Sequence, residues 1–391
     1  MPWKETCAVD ERERFVENWL ASEASKTELC EIYRISRKTA YKWLGRFRKE
    51  GQPGLMDRGR APHHCPHALN ASVKRLLLAA RKAHPRWGPR KILAWIAEGE
   101  ERHDLPAAST VGDLFKREGL VKPRRRRQRA TPTKQPFAAC SAPNDVWCVD
   151  YKGQFKVGSG ELCYPLTLSD GFSRYLLACR GHRRISACGA QDSLQEAFER
   201  FGLPTAMRSD NGQPFGSTGI GGLTRLVVWL IKLGVKPERI EPGQPQQNGR
   251  HERMHRTLKA ETALPPRSSF RRQQIAFDDF LTEFNEERPH EALGNLTPAS
   301  VYIPSPKPMP RHVPEVAYPT NYEVRRVKHT GEIKWRNRQL FVSEALRGED
   351  IGLVETDTGL FEMFFGSASL AFIDHLGRIH RRPVLLWAPV A

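Results

Sequence analysis

Long apolar runs are missing from this sequence of 391 residues. The longest strongly apolar stretch is Leu226-Val227-Val228-Trp229-Leu230-Ile231, far short of the roughly 20 residues a membrane helix needs. The opening stretch, MPWKETCAVDERERF, is charged and carries no apolar segment of the signal-peptide kind, so a soluble, cytoplasmic protein is expected. Cysteine pairs at C-x-x-C spacing are also missing, although there are eight cysteines. Cys148, Cys163 and Cys179 stand among apolar, strand-like residues and read as reduced, structural side chains. His63, His64, Cys65 and His67 are too tightly spaced, and lack the distant second ligand pair, for a zinc site. Acid is scarce too: 62 Lys and Arg against 44 Asp and Glu leave a net charge of +18. Such an excess points to a polyanionic partner, most often nucleic acid. Hydrophobic residues make up 39%, which excludes a disordered chain, and the length suggests two to four domains.

The first segment, 1–57, reads as short helices. Lys26 to Tyr33 is helical, with Leu29 and Ile32 on one face. Ser36 suits an N-cap, and Arg37 to Lys49 follows with Ala40, Trp43, Leu44 and Phe47 at helical spacing. Helix, short turn and capped basic helix make a helix-turn-helix pattern, whose outward Arg37, Lys38, Tyr41 and Lys42 are candidates to enter a major groove of double-stranded DNA. A second helix-turn-helix unit is expected over 68–121, with Ser109 or Thr110 capping its last helix and Gly119 ending it. The linker 122–142 begins KPRRRRQRATPTK. With no acid and no apolar period there, Arg124, Arg125, Arg126 and Arg127 are suited to phosphates rather than base edges.

The texture changes over 143–302. Val146–Tyr151, Leu162–Ser169 and Tyr175–Cys179 read as strands, Ala187–Phe201 as a helix, and Thr205–Ser209 as a strand ending at Asp210. An apolar helix over 224–233, a short strand at Arg239-Ile240-Glu241 and helices over 249–264 and 269–287 complete an α/β domain. Six prolines mark a linker at 303–319, and alternating residues with turn signals over 320–391 predict a small all-β, barrel-like domain.

Three acids stand out by context. Asp150 interrupts an apolar strand, Asp210 ends one before Asn211-Gly212, and Glu252 opens a helix after Gln247-Asn248-Gly249. Brought together, three carboxylates repel unless a cation neutralises them or they take up protons. Such hard oxygen ligands suit Mg²⁺, with Mn²⁺ as a substitute, and paired ions can stabilise both oxygens of an in-line phosphoryl displacement. Spacing alone is weak support, because any long chain offers many such triples.

The surrounding words are more specific. DVWCVDYKG around Asp150, LSDGFSRY around Asp170, RSDNGQPF around Asp210 and PQQNGRHERMHRTLKAE around Glu252 resemble, in order, the catalytic core of retroviral-type integrases and bacterial insertion-sequence transposases. The closing FNEERPHEALGNLTPASVY resembles the end of the same core. The resemblance implies an RNase H-like fold for 143–302, with Asp150, Asp210 and Glu252 as catalytic metal ligands. It further implies that Lys259, with His255 and Arg256 nearby, touches DNA, and that Asp170 organises a turn with Ser173 and Arg174. Between Asp210 and Glu252 lie 41 residues, more than this family often has, and the glycine-rich Gly216–Gly222 reads as a mobile loop absorbing the excess. The expected function is transposition. The enzyme would hydrolyse a phosphodiester at an element end, and the freed 3′-OH would then attack target DNA, with a homo-oligomer pairing the two ends. The rivals are a transposase-derived DNA-binding regulator without chemistry and a nuclease that cuts without joining.

Overall fold

A computed structural model describes residues 7–21, 25–59, 69–99, 104–121, 140–241 and 249–387. The His63–His67 cluster and the Arg124–Arg127 run lie outside them. The chain divides into two compact units, 1–70 and 71–391.

In the first unit, α1 (Ala8–Ala21), α2 (Lys26–Ile32) and α3 (Arg37–Glu50) are followed by a 3-10 turn. Ser25 and Glu28 form a reciprocal capping box at α2, and the Ser36 hydroxyl accepts from the Thr39 N–H at the start of α3. Phe15, Val16, Leu29, Cys30, Ala40, Trp43 and Leu44 make the core. Ile32, expected beside Leu29, is instead 68% exposed. Cys30 takes the inward place, because the helix stops one residue later.

The second unit opens with α4 (Ala71–Ala83), α5 (Pro89–Ala97) and α6 (Ala108–Arg117). Ala107, not Ser109 or Thr110, stands at the N-cap of α6 and gives no side-chain cap, so both hydroxyl residues fall inside the first turn. Gly119 follows with φ +68°, the left-handed conformation glycine adopts at low cost. These helices dock on the segment around residues 283–290: the Lys91 ammonium donates to the Pro289 carbonyl, and His84 lies 3.5 Å from Glu283.

The central sheet comprises β1 (Val146–Tyr151), β2 (Phe155–Lys156), β3 (Leu162–Asp170), β4 (Leu176–His182), β5 (Ala206–Ser209) and β6 (Lys236–Arg239). Its order is β2-β3-β1-β5-β6, with β4 also paired to β3. The first strands are antiparallel, whereas β1, β5 and β6 run parallel. Side chains alternate along the strands. Trp147, Val149, Leu166 and Leu168 pack under α7 (Ala187–Phe201) and α8 (Arg225–Lys232). Cys163 and Cys179 pack on the other face, with Met254 and Leu258 of α9 (Gly249–Thr262) and Phe277 and Phe280 of α10 (Phe270–Thr282). Helices on both faces explain why these strands are apolar almost throughout. The last strand lies at 236–239, not at the expected 239–241. Pro237 hides it in the sequence, but a proline is tolerated at the sheet edge, and pairing with β5 fixes the register. Beyond α11 (Pro298–Val301), the C-terminal part is all β. A hairpin of β8 (Glu332–Trp335) and β9 (Arg338–Phe341) accompanies an antiparallel sheet. That sheet contains β7 (Glu323–Arg326), β10 (Asp350–Glu355), β11 (Phe361–Phe365), β12 (Ala368–Ile373) and β13 (Ile379–Trp387). Among the described residues its pairs run as an open path, β13-β12-β11-β10-β7, rather than a ring.

The glycine-rich 216–222 segment is not a free loop. Ile220 is buried and, with Leu223, Val227 and Ile231, shares a core with Ile333, Trp335, Ile351 and Phe365 of the β domain. The Arg239 guanidinium donates to the carbonyls of Gly221 and Gly222, and the Ser217 hydroxyl donates to the Leu223 carbonyl. A Cβ at Gly222, where φ is +62°, would run into that guanidinium. Gly222→Ala is therefore expected to destabilise the protein by about 1–3 kcal/mol, measured by denaturant unfolding. Unchanged unfolding would mean that the segment is a mobile loop after all.

Candidate active site

The parallel pair β1 and β5 sets the site. Val146, Trp147 and Cys148 stand opposite Ala206, Met207 and Arg208. Two residues further along both strands come Asp150 and Asp210, at the carboxyl end of the parallel strands, where α/β sheets present functional groups. The alternation that sends Trp147 and Val149 under α7 turns Asp150 toward α9. Arg208 and Glu238, opposite one another on β5 and β6, form a largely buried ion pair of 2.8 Å that holds the edge strand in register.

Glu252 lies in the first turn of α9, where the helix dipole favours a carboxylate. The helix is sharply two-sided: His251, Met254, His255 and Leu258 are buried, while Glu252, Arg253, Arg256 and Lys259 are exposed. The exposed set puts two cations one and two turns beyond Glu252 on its own face.

The three acids sense one another. Burial first, then the Asp210 carboxylate and more weakly Glu252, push the Asp150 carboxyl up to about 7. Among the described residues no three His, Cys, Asp or Glu side chains converge closely enough to hold a metal ion. The donor set is all hard carboxylate oxygen, however, and the repulsion that raises Asp150 is the one a divalent cation would cancel. The residues present therefore fit such an ion once Glu252 closes on the two aspartates.

Beneath Asp150 is a buried polar group that the motifs along the chain do not single out. The Thr167 hydroxyl contacts Nε2 of both His251 and His255, at 2.8 and 2.5 Å, and the Ser169 hydroxyl lies 2.8 Å from His251 Nδ1. His255 Nδ1 is 3.6 Å from Asp150 Oδ2. Burial pushes His251 down to about 3. Burial, with His251 and Lys152 beside it, pushes His255 well below the usual imidazole range. Both rings are thus neutral. A signal for this group was present: polar Thr167 and Ser169 share one face of an otherwise apolar strand, and the histidines are one helical turn apart.

These positions correct the expected DNA contact at His255, whose ring is only 3% exposed and faces the sheet. Arg256 and Lys259 are exposed, as are Arg37, Lys38, Tyr41 and Lys42 on α3. Asp170 is buried and accepts from the Asn144 N–H and from the Ser173 N–H and O–H, tying the β3–β4 turn to the start of β1.

Residues 141–245 and 233–298 match two integrase core domain families. The chain carries an integrase core. Ahead of it, residues 11–63 match a helix-turn-helix domain and 39–115 a homeodomain-like domain. The integrase-core chain is 26% identical over 238 residues to an uncharacterized 39.2 kDa protein of insertion element IS476 from Xanthomonas euvesicatoria. That match spans 60% of this chain and 65% of the relative. It is 27% identical over 240 residues to an uncharacterized 31.7 kDa protein of insertion element IS407 from Burkholderia multivorans, spanning 61% and 82%. Among solved structures, the HTLV-2 integrase catalytic core domain in complex with magnesium aligns at 16% identity and a TM-score of 0.33, covering 42% of this chain and 99% of that one. Integrase core, helix-turn-helix region and insertion-element relatives together mark a bacterial insertion-sequence transposase architecture with a retroviral-type core.

Proposed function

We propose that the protein binds the ends of a mobile DNA element and catalyses Mg²⁺-dependent strand cleavage and strand transfer into target DNA. The observation that carries this reading is the charge coupling of Asp150 to Asp210 and Glu252 at the carboxyl end of the parallel strands. Asp150, Asp210 and Glu252 would hold the ion, which supplies charge neutralisation at the phosphate and polarises its oxygens. Arg256 and Lys259 extend the same face of α9 and would pair with backbone phosphates beside the scissile bond. The α/β frame contributes positioning, because strands and a buried-faced helix hold these groups with little freedom. Joining two ends in concert requires two active sites, so a homo-oligomer on double-stranded DNA is part of the proposal.

End recognition is proposed to reside in residues 1–121 and chemistry in 143–302. On α3, Arg37, Lys38, Tyr41 and Lys42 are exposed on a helix fixed by the Ser36 cap. Arg and Lys on such a scaffold can read guanine edges, each good contact giving about 1–3 kcal/mol of discrimination. Replacing Arg37 and Lys38 with Ala is expected to lower the ratio of end to scrambled-duplex affinity by about tenfold or more. Replacing Arg124 to Arg127 is expected to weaken binding to both duplexes alike and flatten the salt dependence. A full specificity ratio in the Arg37/Lys38 variant would move the reader to the α6 helix.

The functional reading is tested by incubating the full chain with labelled end duplexes in Mg²⁺, Mn²⁺ or EDTA. Joined products are expected with either ion and none with EDTA. Cleaved ends without joining would favour a nuclease, and end binding without cleavage in any ion would identify a regulator.

A further inference from the structure

The polar group under Asp150 has a direction. Each neutral imidazole carries one N–H and one bare nitrogen, and a hydroxyl can donate only once. The Thr167 hydroxyl has a third neighbour, the Asp150 main-chain carbonyl, at 3.2 Å. Were its hydrogen given to that carbonyl, both histidines would have to donate from Nε2 to the Thr167 oxygen. The bare Nδ1 of His255 would then face the Asp150 carboxylate, lone pair against lone pair. The opposite order fills every short contact. The Ser169 O–H donates to His251 Nδ1, His251 Nε2–H to the Thr167 oxygen, and the Thr167 O–H to His255 Nε2. His255 Nδ1–H is then aimed at Asp150 Oδ2. The bond made by one ring nitrogen dictates which atom the other presents.

We propose that His255 is a positioning residue for the Asp150 carboxylate, presenting Nδ1–H to Oδ2, with its tautomer set by the Ser169–His251–Thr167 chain. The same two histidines pin the first turns of α9 to β3, so one buried network sets both the Asp150 rotamer and the placement of Glu252. The inference rests on the proposed metal site.

The first test needs no variant to bind metal. In the full chain labelled with ¹⁵N-histidine, His255 is expected to be protonated at Nδ1 and bare at Nε2, with its signals assigned by their loss in His255→Asn. A His255 protonated at Nε2 overturns the inference. The second test measures Mn²⁺ binding from the paramagnetic resonance of the free ion. The Asn amide nitrogen stands near the place of Nδ1, and the Gln amide nitrogen near that of Nε2. His255→Asn is expected to bind Mn²⁺ nearly as the wild type does, and His255→Gln about tenfold more weakly, at similar melting temperatures. Asp150→Asn separates the two levels. If Asp150→Asn loses Mn²⁺ and His255→Gln does not, the positioning role alone fails. If Asp150→Asn binds as the wild type does, the metal site fails and takes the positioning role with it. Where the substitutions unfold the protein, the tautomer in the native chain decides.

Discussion

Glu252→Gln, Asp150→Asn and Asp210→Asn are each expected to lower end cleavage and strand transfer by at least about 10³-fold, since groups acting as one unit lose most of their effect together. Each substitution keeps shape and removes one negative charge, so the fold around β1, β5 and α9 should survive. Binding to end duplexes should persist within a small factor, because the exposed cations of α3 and α9 are untouched. The double variant Asp150→Asn/Asp210→Asn should be little worse than either single one, which distinguishes a shared ion from independent contributions. Strand transfer by purified Glu252→Gln at a rate near wild type would remove Glu252 from the site, and with it the proposed three-acid centre.

The same Asp150→Asn substitution should raise stability when no divalent ion is present. The Asp150 carboxyl has an ordinary value of 3.8 and is pushed up to about 7 in the folded protein. Between those values the folded chain keeps a proton that the unfolded chain releases, so stability falls as pH rises through about pH 4 to 7. Above that window the ionised carboxylate costs roughly 2–4 kcal/mol, at about 1.4 kcal/mol per unit. An asparagine bears no such cost. In EDTA at pH 8 the variant should therefore unfold at a higher denaturant concentration than wild type, and near pH 4 most of the gain should be gone. Adding Mn²⁺ at pH 8 should stabilise wild type and leave the variant unchanged, reversing or closing the gap. Loss of activity together with a gain in metal-free stability is the signature of a site built from mutually repelling acids. A variant no more stable than wild type at pH 8 would mean that Asp150 is ionised without strain and that its neighbours are too distant to matter.

Much of this protein was determined locally by its sequence. The Ser36 cap, the Ala187–Phe201 helix, the apolar strands around Asp150 and the strand before Asp210 depend on side-chain periodicity and on hydrogen bonds within four residues, and all are legible along the chain. So is the order of the three acids, because the turn and cap residues that flank them are equally local. The tertiary structure decided what depends on a partner distant in sequence. The strand at Lys236–Arg239 exists because β5 supplies its hydrogen bonds, although Pro237 argues against it. Gly216–Gly222 reads as a loop until the β domain covers Ile220 and the Arg239 side chain occupies the space that a side chain at Gly222 would need. His255 reads as a polar residue on a basic helix until β3 brings Thr167 against it. Periodicity can divide a helix into two faces, but which face meets a sheet, and which polar groups that sheet can satisfy, is decided only when the two are packed together.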